Sequence, residues 1–141
     1  MGNELSRERY RALAEFRYQL RRFLRFSEEA ARAAGLEPQQ HQLLLAIKGS
    51  DAEALTIGEI AERLQVQHHS AVELVARAVA RGLVRRERGL EDRRQVIVRL
   101  APTGEQALRE LSAAHHQELL SAAPELIRIL QRIAAADSEA D

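Results

Sequence analysis

Apolar positions recur every three to four residues along most of this 141-residue chain and alternate in only one stretch. The longer period predicts helices, the alternation strands. From Ser6 to about Ala34, Leu13, Phe16, Leu20, Phe23, Leu24 and Ala31 form one stripe. Arg9, Arg17, Arg21, Arg22 and Arg25 fill much of the remaining surface, Ser6 suits an N-cap, and Gly35 supplies a stop. Such a helix is roughly 42 Å long at 1.5 Å per residue. Pro38 fits a first helical position, and Leu43, Leu44 and Ile47 mark the buried side of a second helix ending at Gly49. Thr56 and Glu59 stand at capping-box spacing before Ile57, Ile60, Ala61 and Leu64, a third, short helix. Gln65-Val66-Gln67 leaves room only for a turn. A fourth helix follows, with Val72, Val75 (or Leu74) and Val79 inward and Gly82 to stop it.

Beyond Gly82 the period falls to two. Leu83 to Arg88 and Arg94 to Leu100 read as antiparallel strands around a tip at Gly89-Leu90-Glu91-Asp92. Ala54-Leu55-Thr56 is the only segment suited to a further, very short strand. Pro102 closes the second strand, and Thr103 with Gln106 forms another capping-box pattern. Leu108, Leu111 and Leu119 mark a helix to about Ala122. Pro124 is expected to open a final helix carrying Leu126, Ile127, Leu130 and Ile133 on one side. Residues 1–5 and the acidic tail from Ala134 to Asp141 are expected to fray. The fold class is therefore mainly α with a small β-hairpin. Two helices joined by a short turn make a helix-turn-helix, the hairpin makes its wing, and long helices flank both.

Charge sharpens this picture. The chain is formally neutral, with 21 basic and 21 acidic residues. Yet Arg63 to Arg99 holds nine Arg against four acids, a local +5, while residues 1–62 carry −1 and residues 100–141 carry −4. That polarity suits a phosphate-binding face. Cysteine is absent, which removes disulfides, thiolate metal sites and thiol redox sensing. With 45% apolar and 30% charged residues the composition is globular. No apolar run near twenty residues and no secretory leader is apparent, so a cytoplasmic, non-membrane protein is expected.

The order helix-turn-helix, Arg81-Gly82-Leu83-Val84-Arg85-Arg86, then Asp92-Arg93-Arg94, Val96-Ile97-Val98 and Leu100 through Gly104 resembles the MarR family of winged-helix transcriptional regulators. The likeness spans nearly the whole chain, and its most specific part is the wing. It implies one domain over 1–141, with dimerisation helices at about 6–34 and 103–136 and a DNA-binding lobe at about 38–100. It also implies a homodimer whose first and last helices interlock. Two departures stand out: Ala76-Arg77-Ala78 where the family often has Asp-Arg-Leu, and His68-His69 where small hydroxyl residues and Pro are common.

Base readout is expected from the first turns of the second helix of the motif, at Gln67, His68, His69, Ser70 and Glu73. Its start is ambiguous: Ser70 and Glu73 form a capping-box pattern, whereas the family likeness favours a start near His68. Glu73 would cap the helix or accept from a cytosine amino group. Arg77 lies one turn on, within reach of a base or a phosphate. In the wing, Arg86, Arg93 and Arg94 are the candidate DNA contacts, with Arg94 aimed at the minor groove. Asp92 is assigned to bracing an arginine, because a carboxylate is repelled by phosphate.

The five histidines (41, 68, 69, 115, 116) show no His-Glu-x-x-His spacing, and sequence neighbours on a helix do not share a face. No metal site is therefore assigned. No catalytic constellation, phosphate loop or cofactor motif emerges, so an enzyme is not expected. The chain reads as a ligand-responsive repressor, a homodimer on a near-palindromic double-stranded DNA operator, with a small-molecule effector of unspecified identity. Two rivals are a metal-responsive regulator of the same fold and a winged helix that binds protein and has no operator.

Overall fold

The computed structural model describes residues 4–138. In chain order the elements are α1 (Arg7–Ala33), α2 (Pro38–Lys48), β1 (Leu55–Thr56), α3 (Ile57–Leu64), α4 (His68–Ala80), β2 (Val84–Arg88), β3 (Val96–Leu100) and α5 (Pro102–Ser138). They fall into two compact units, Glu29–Ser112 and Met1–Glu28 with Ala113–Asp141.

In the unit Glu29–Ser112, the three strands form an antiparallel sheet of order β1-β3-β2. The two-residue β1 pairs Leu55 with Val98 and Thr56 with Ile97, and β2 pairs Val84 with Leu100 through Arg88 with Val96. Leu43, Leu44 and Ile47 of α2, Ile60 of α3, Leu74 and Val75 of α4 and Val98 of β3 are buried in one core. The helix ends follow local rules. Thr56 Oγ1 accepts from the Glu59 amide at 3.2 Å, and Glu59 Oε1 accepts from the Thr56 amide at 3.2 Å, a complete capping box. Gly35 and Gly82 take left-handed φ of 79° and 71°. Leu36 and Leu83 then donate back to Ala31 and Ala78, the six-to-one bonds of Schellman caps. Lys48 at the end of α2 reaches both Glu53 and Glu105, at 3.1 and 3.2 Å. Hydrogen bonds to these two carboxylates raise its pKa above the usual lysine value.

The root of the wing is clamped. Leu83 O accepts from the Ala101 amide at 2.9 Å. A Cβ on Gly104 would stand 2.1 Å from the same oxygen and 3.3 Å from Leu44 Cδ2. Only glycine fits there.

The other unit holds the first part of α1 and the later part of α5. Here Ile129 is buried at 1% exposure and His115 at 8%. His115 Nε2 lies 2.8 Å from Ser27 Oγ, with Phe26 and Phe23 edge-on at 5.5 and 6.2 Å. Leu13, Leu24, Leu120, Ile127 and Leu130 are exposed.

The helix ends depart from expectation in two places. Instead of ending at Ala122 and restarting at Pro124, α5 is continuous, with Pro124 inside it. The proline removes one amide donor, and both Leu120 and Pro124 are exposed, so water can serve the Leu120 carbonyl. The Thr103–Gln106 capping box does not form because Pro102 already takes the first helical position. Gln106 turns forward instead, its Nε2 donating to Glu110 at 3.0 Å. At the chain ends, Ser6 caps α1 through a 3.3 Å bond from the Arg9 amide, and α5 persists through part of the tail expected to fray. Residues 1–3 and 139–141, the rest of the ends expected to fray, lie outside the described residues.

Candidate nucleic-acid interface

The helix-turn-helix is closed by a residue not suited to its task. Gln65 adopts left-handed φ 54°, ψ 49° after α3, and Val66 donates to Ala61 O at 3.0 Å. This is a third Schellman cap, made by glutamine where glycine is favoured. Its side chain compensates in part, Nε2 donating to Glu62 O at 2.7 Å. The turn then needs only Val66 and Gln67 before α4 begins at His68. An open groove lined by Gly58, Glu62, Gln65, Val66, His68 and Ser70 crosses this turn.

The start of α4 resolves the ambiguity in the sequence. Gln67 is the N-cap, with φ −67° and ψ 152° and no capping bond from its own side chain. Ser70 therefore lies inside the first turn, and the Ser70–Glu73 capping box has no helix end to cap. The buried face is Ala71, Leu74, Val75 and Ala78. Val72, expected inside, is 42% exposed. It shares an outward stripe with His69, Glu73 and Ala76, spaced i, i+3, i+4 and i+7 and all exposed. Gln67 and His68 are exposed beside it, and Ser70 is half-buried. Small alanines weigh little in a hydrophobic pattern, and here they carry half of the inner face. Counting Ala71 and Ala78 as core would have turned Val72 outward from the sequence alone.

The arginines divide into two groups. On α4, Arg77 Nε pairs with Glu37 Oε2 at 3.2 Å. Arg81, one turn later, donates to Gln40 Oε1 at 2.8 Å and to the Gly35 carbonyl. In the wing, Arg85 and Arg99 are directly opposed in the ladder. Glu87 joins them, its Oε1 3.2 Å from Arg85 Nε and its Oε2 2.9 Å from Arg99 Nε. Arg99 also donates to the Ala52 carbonyl at 3.1 Å. Arg88 Nη1 donates to the Arg93 carbonyl at 3.0 Å, across the tip. By contrast, the side chains of Arg86, Arg93 and Arg94 are exposed and make no ion pair or hydrogen bond among the described residues.

Asp92 Oδ1 accepts from the backbone amide of Arg94 at 2.9 Å, a local turn that fixes the backbone carrying both tip arginines. The Gly89 amide donates to Gln95 O at 2.9 Å, and a Cβ on Gly89 would meet Asp92 O at 2.6 Å. The tip is narrow because glycine lets it close.

Among the described residues no cluster of three His, Cys, Asp or Glu is placed to hold a metal ion. None of their helices is long and apolar enough to cross a membrane.

A helix-turn-helix framed by a three-stranded sheet, whose β2–β3 hairpin projects as a basic wing, defines a winged helix. Residues 34–95 match the family model of the MarR family. Similar solved structures include AbsC, a MarR family transcriptional regulator from Streptomyces coelicolor, at 18% identity and TM-score 0.76, covering 98% of this chain and 99% of that one. Sco3205 from the same organism, described as a MarR family transcriptional regulator in complex with DNA, matches at 22% identity and TM-score 0.75, covering 99% and 91%. BpsR of Bordetella bronchiseptica, described by the regulation of its DNA binding by 6-hydroxynicotinic acid, matches at 17% identity and TM-score 0.61, covering 84% and 94%. No curated protein matches the chain. The family model over residues 34–95 and the shared fold agree in likening the chain to the MarR family of winged-helix regulators.

Proposed function

We propose that this protein is a sequence-specific transcriptional regulator, a cytoplasmic homodimer that represses from a near-palindromic operator in double-stranded DNA and releases it on binding a small molecule. The observation that carries this reading is the pairing of an outward, unengaged stripe on α4 with a wing presenting three free guanidinium groups. Gln67, His68, His69, Ser70 and Glu73 read base edges in the major groove. Arg86 and Arg93 contact phosphate, and Arg94 enters the minor groove, held by the turn that Asp92 closes. Arg77 joins them only by exchanging Glu37 for a phosphate or base.

A homodimer is supported by the exposed Leu13, Leu24, Ile127 and Leu130 on the unit formed by the two chain ends. Apolar patches of that kind mark association surfaces. The helices at about 6–34 and 103–136 would interlock, leaving 38–100 as the DNA-binding lobe. A two-fold dimer sets its recognition helices about 34–36 Å apart, one turn of DNA, which makes the operator near-palindromic. The effector is a small, mostly apolar or anionic molecule, as 6-hydroxynicotinic acid is for BpsR. It acts by favouring a helix spacing that misfits the grooves.

The test is a salt series on a duplex selected from a random pool with purified protein. Three free arginines per subunit, six per dimer, give a log–log slope of about −5 at −0.9 per neutralised phosphate. A slope shallower than about −2 would reject this reading in favour of a protein-binding winged helix.

A further inference from the structure

We infer that Val72 is a specificity-determining residue, reading the C5-methyl group of a thymine in the major groove. The inference rests on the DNA-binding reading above and deepens it. The outward stripe of α4 is His69, Val72, Glu73 and Ala76. It contains no Arg, Lys, Asn or Gln, the side chains that read guanine or adenine edges bidentately. What it offers instead is an isopropyl group, a methyl group, a carboxylate and an imidazole. In the major groove the partner of an apolar side chain is the thymine methyl, and the partner of a carboxylate is the cytosine amino group. Three of its four residues, Val72, Glu73 and Ala76, thus suit pyrimidine edges.

Val72 is the largest apolar group on it and stands 42% exposed, on the side of α4 away from the buried Leu74 and Ala78. It contributes less to the core than its neighbours, and a β-branched residue lowers helix propensity relative to alanine. Its isopropyl group gains most from burial against another apolar surface. Val72 lies on the second turn of the helix, within the segment that reaches base edges in a helix-turn-helix.

The experiment uses the full chain and the duplex it enriches from a random pool. Each half-site thymine is replaced in turn by deoxyuridine, which lacks only the C5-methyl. For the wild type, one such replacement should weaken binding about four-fold per half-site, the contribution of one buried methyl-sized group. In Val72→Ala, which keeps the helix and removes the two methyl groups, the same replacement should change affinity less than two-fold. Circular dichroism and an unchanged salt slope would show that the variant is folded and still contacts phosphate. If no thymine is sensitive in the wild type, or if the sensitivity persists in Val72→Ala, the assignment is overturned while operator binding stands. A pool that fails to enrich any duplex would overturn the DNA-binding reading and this assignment with it.

Discussion

Arg85 stands directly opposite Arg99 in the wing ladder, and the carboxylate of Glu87 holds both guanidinium groups within 3.2 Å. Like charges opposed across strands destabilise a sheet, so Glu87 offsets a repulsion that the register imposes. Glu87→Gln should lower stability by less than about 1 kcal/mol, because the pairs are partly exposed. The loss should shrink as salt screens the two arginines. Denaturant midpoints at low and high salt would test this, and a loss independent of salt would contradict it.

The two groups of wing arginines should separate by experiment. Arg94→Ala should weaken operator binding by about 1–3 kcal/mol and leave the unfolding midpoint unchanged. Arg99→Ala should instead destabilise the wing, since its guanidinium spans Glu87 and the Ala52 carbonyl. Paired anisotropy and denaturation measurements on both variants would reveal whether binding and folding effects divide in this way.

Gln65 is held in a left-handed conformation that costs a non-glycine residue about 1–2 kcal/mol. Gln65→Gly should therefore raise stability by up to about 1 kcal/mol, after the entropy glycine loses on folding and the lost bond to Glu62 are deducted. Gln65→Val, β-branched at the same φ, should lower it. Thermal melts of the two variants should move in opposite directions.

Gly104→Ala places a methyl against the Leu83 carbonyl, which is itself engaged by the Ala101 amide. The two atoms it meets first, the Leu83 carbonyl oxygen and carbon, are backbone and give way only if the sheet and α5 move apart. The expected cost is about 3 kcal/mol, the upper end for overpacking. Urea unfolding should show a lower midpoint with an unchanged slope.

The assembly is testable by truncation. Removing residues 124–141 deletes the buried Ile129 together with the exposed Ile127 and Leu130. The truncated chain should aggregate or sediment as a monomer with little specific affinity, although every residue of the wing and α4 remains. A soluble truncated monomer binding the operator at full strength would contradict the dimer reading.

Features governed by neighbours in sequence were legible before the structure. The capping box at Thr56 and Glu59, the glycine stops at Gly35 and Gly82, the change of period at the wing and the short strand at Leu55 each depend on a few adjacent residues. What escaped depends on tertiary context. Pro124 reads as a helix start, yet a long helix can absorb one missing donor on an exposed side. Among the described residues of α5 beyond Pro124, Ile129, which the apolar stripe leaves out, is the one that is buried, while Ile127 and Leu130 are exposed. Val72 reads as inward from the large apolar residues alone, because Ala71 and Ala78, which carry half of the buried face, add little to a hydrophobic pattern. The charge of the wing was legible, but its division between bracing and free arginines was not. That division depends on which strand positions oppose each other, and register is a property of the fold.

Leu83 gives the wing the mechanics of a cantilever. Its carbonyl pins the end of β3 through Ala101 and abuts the first turn of α5 at Gly104, so a pivot at the base of the hairpin would have to displace backbone on both sides. Beyond that clamp the ladder runs outward to a narrow tip, with Leu90 95% exposed at its extremity. Deflection of a beam held at one end grows toward the free end, where Arg93 and Arg94 sit. On the DNA-binding reading proposed above, the tip follows a groove that widens or narrows from one sequence to the next while the root of the hairpin stays in place.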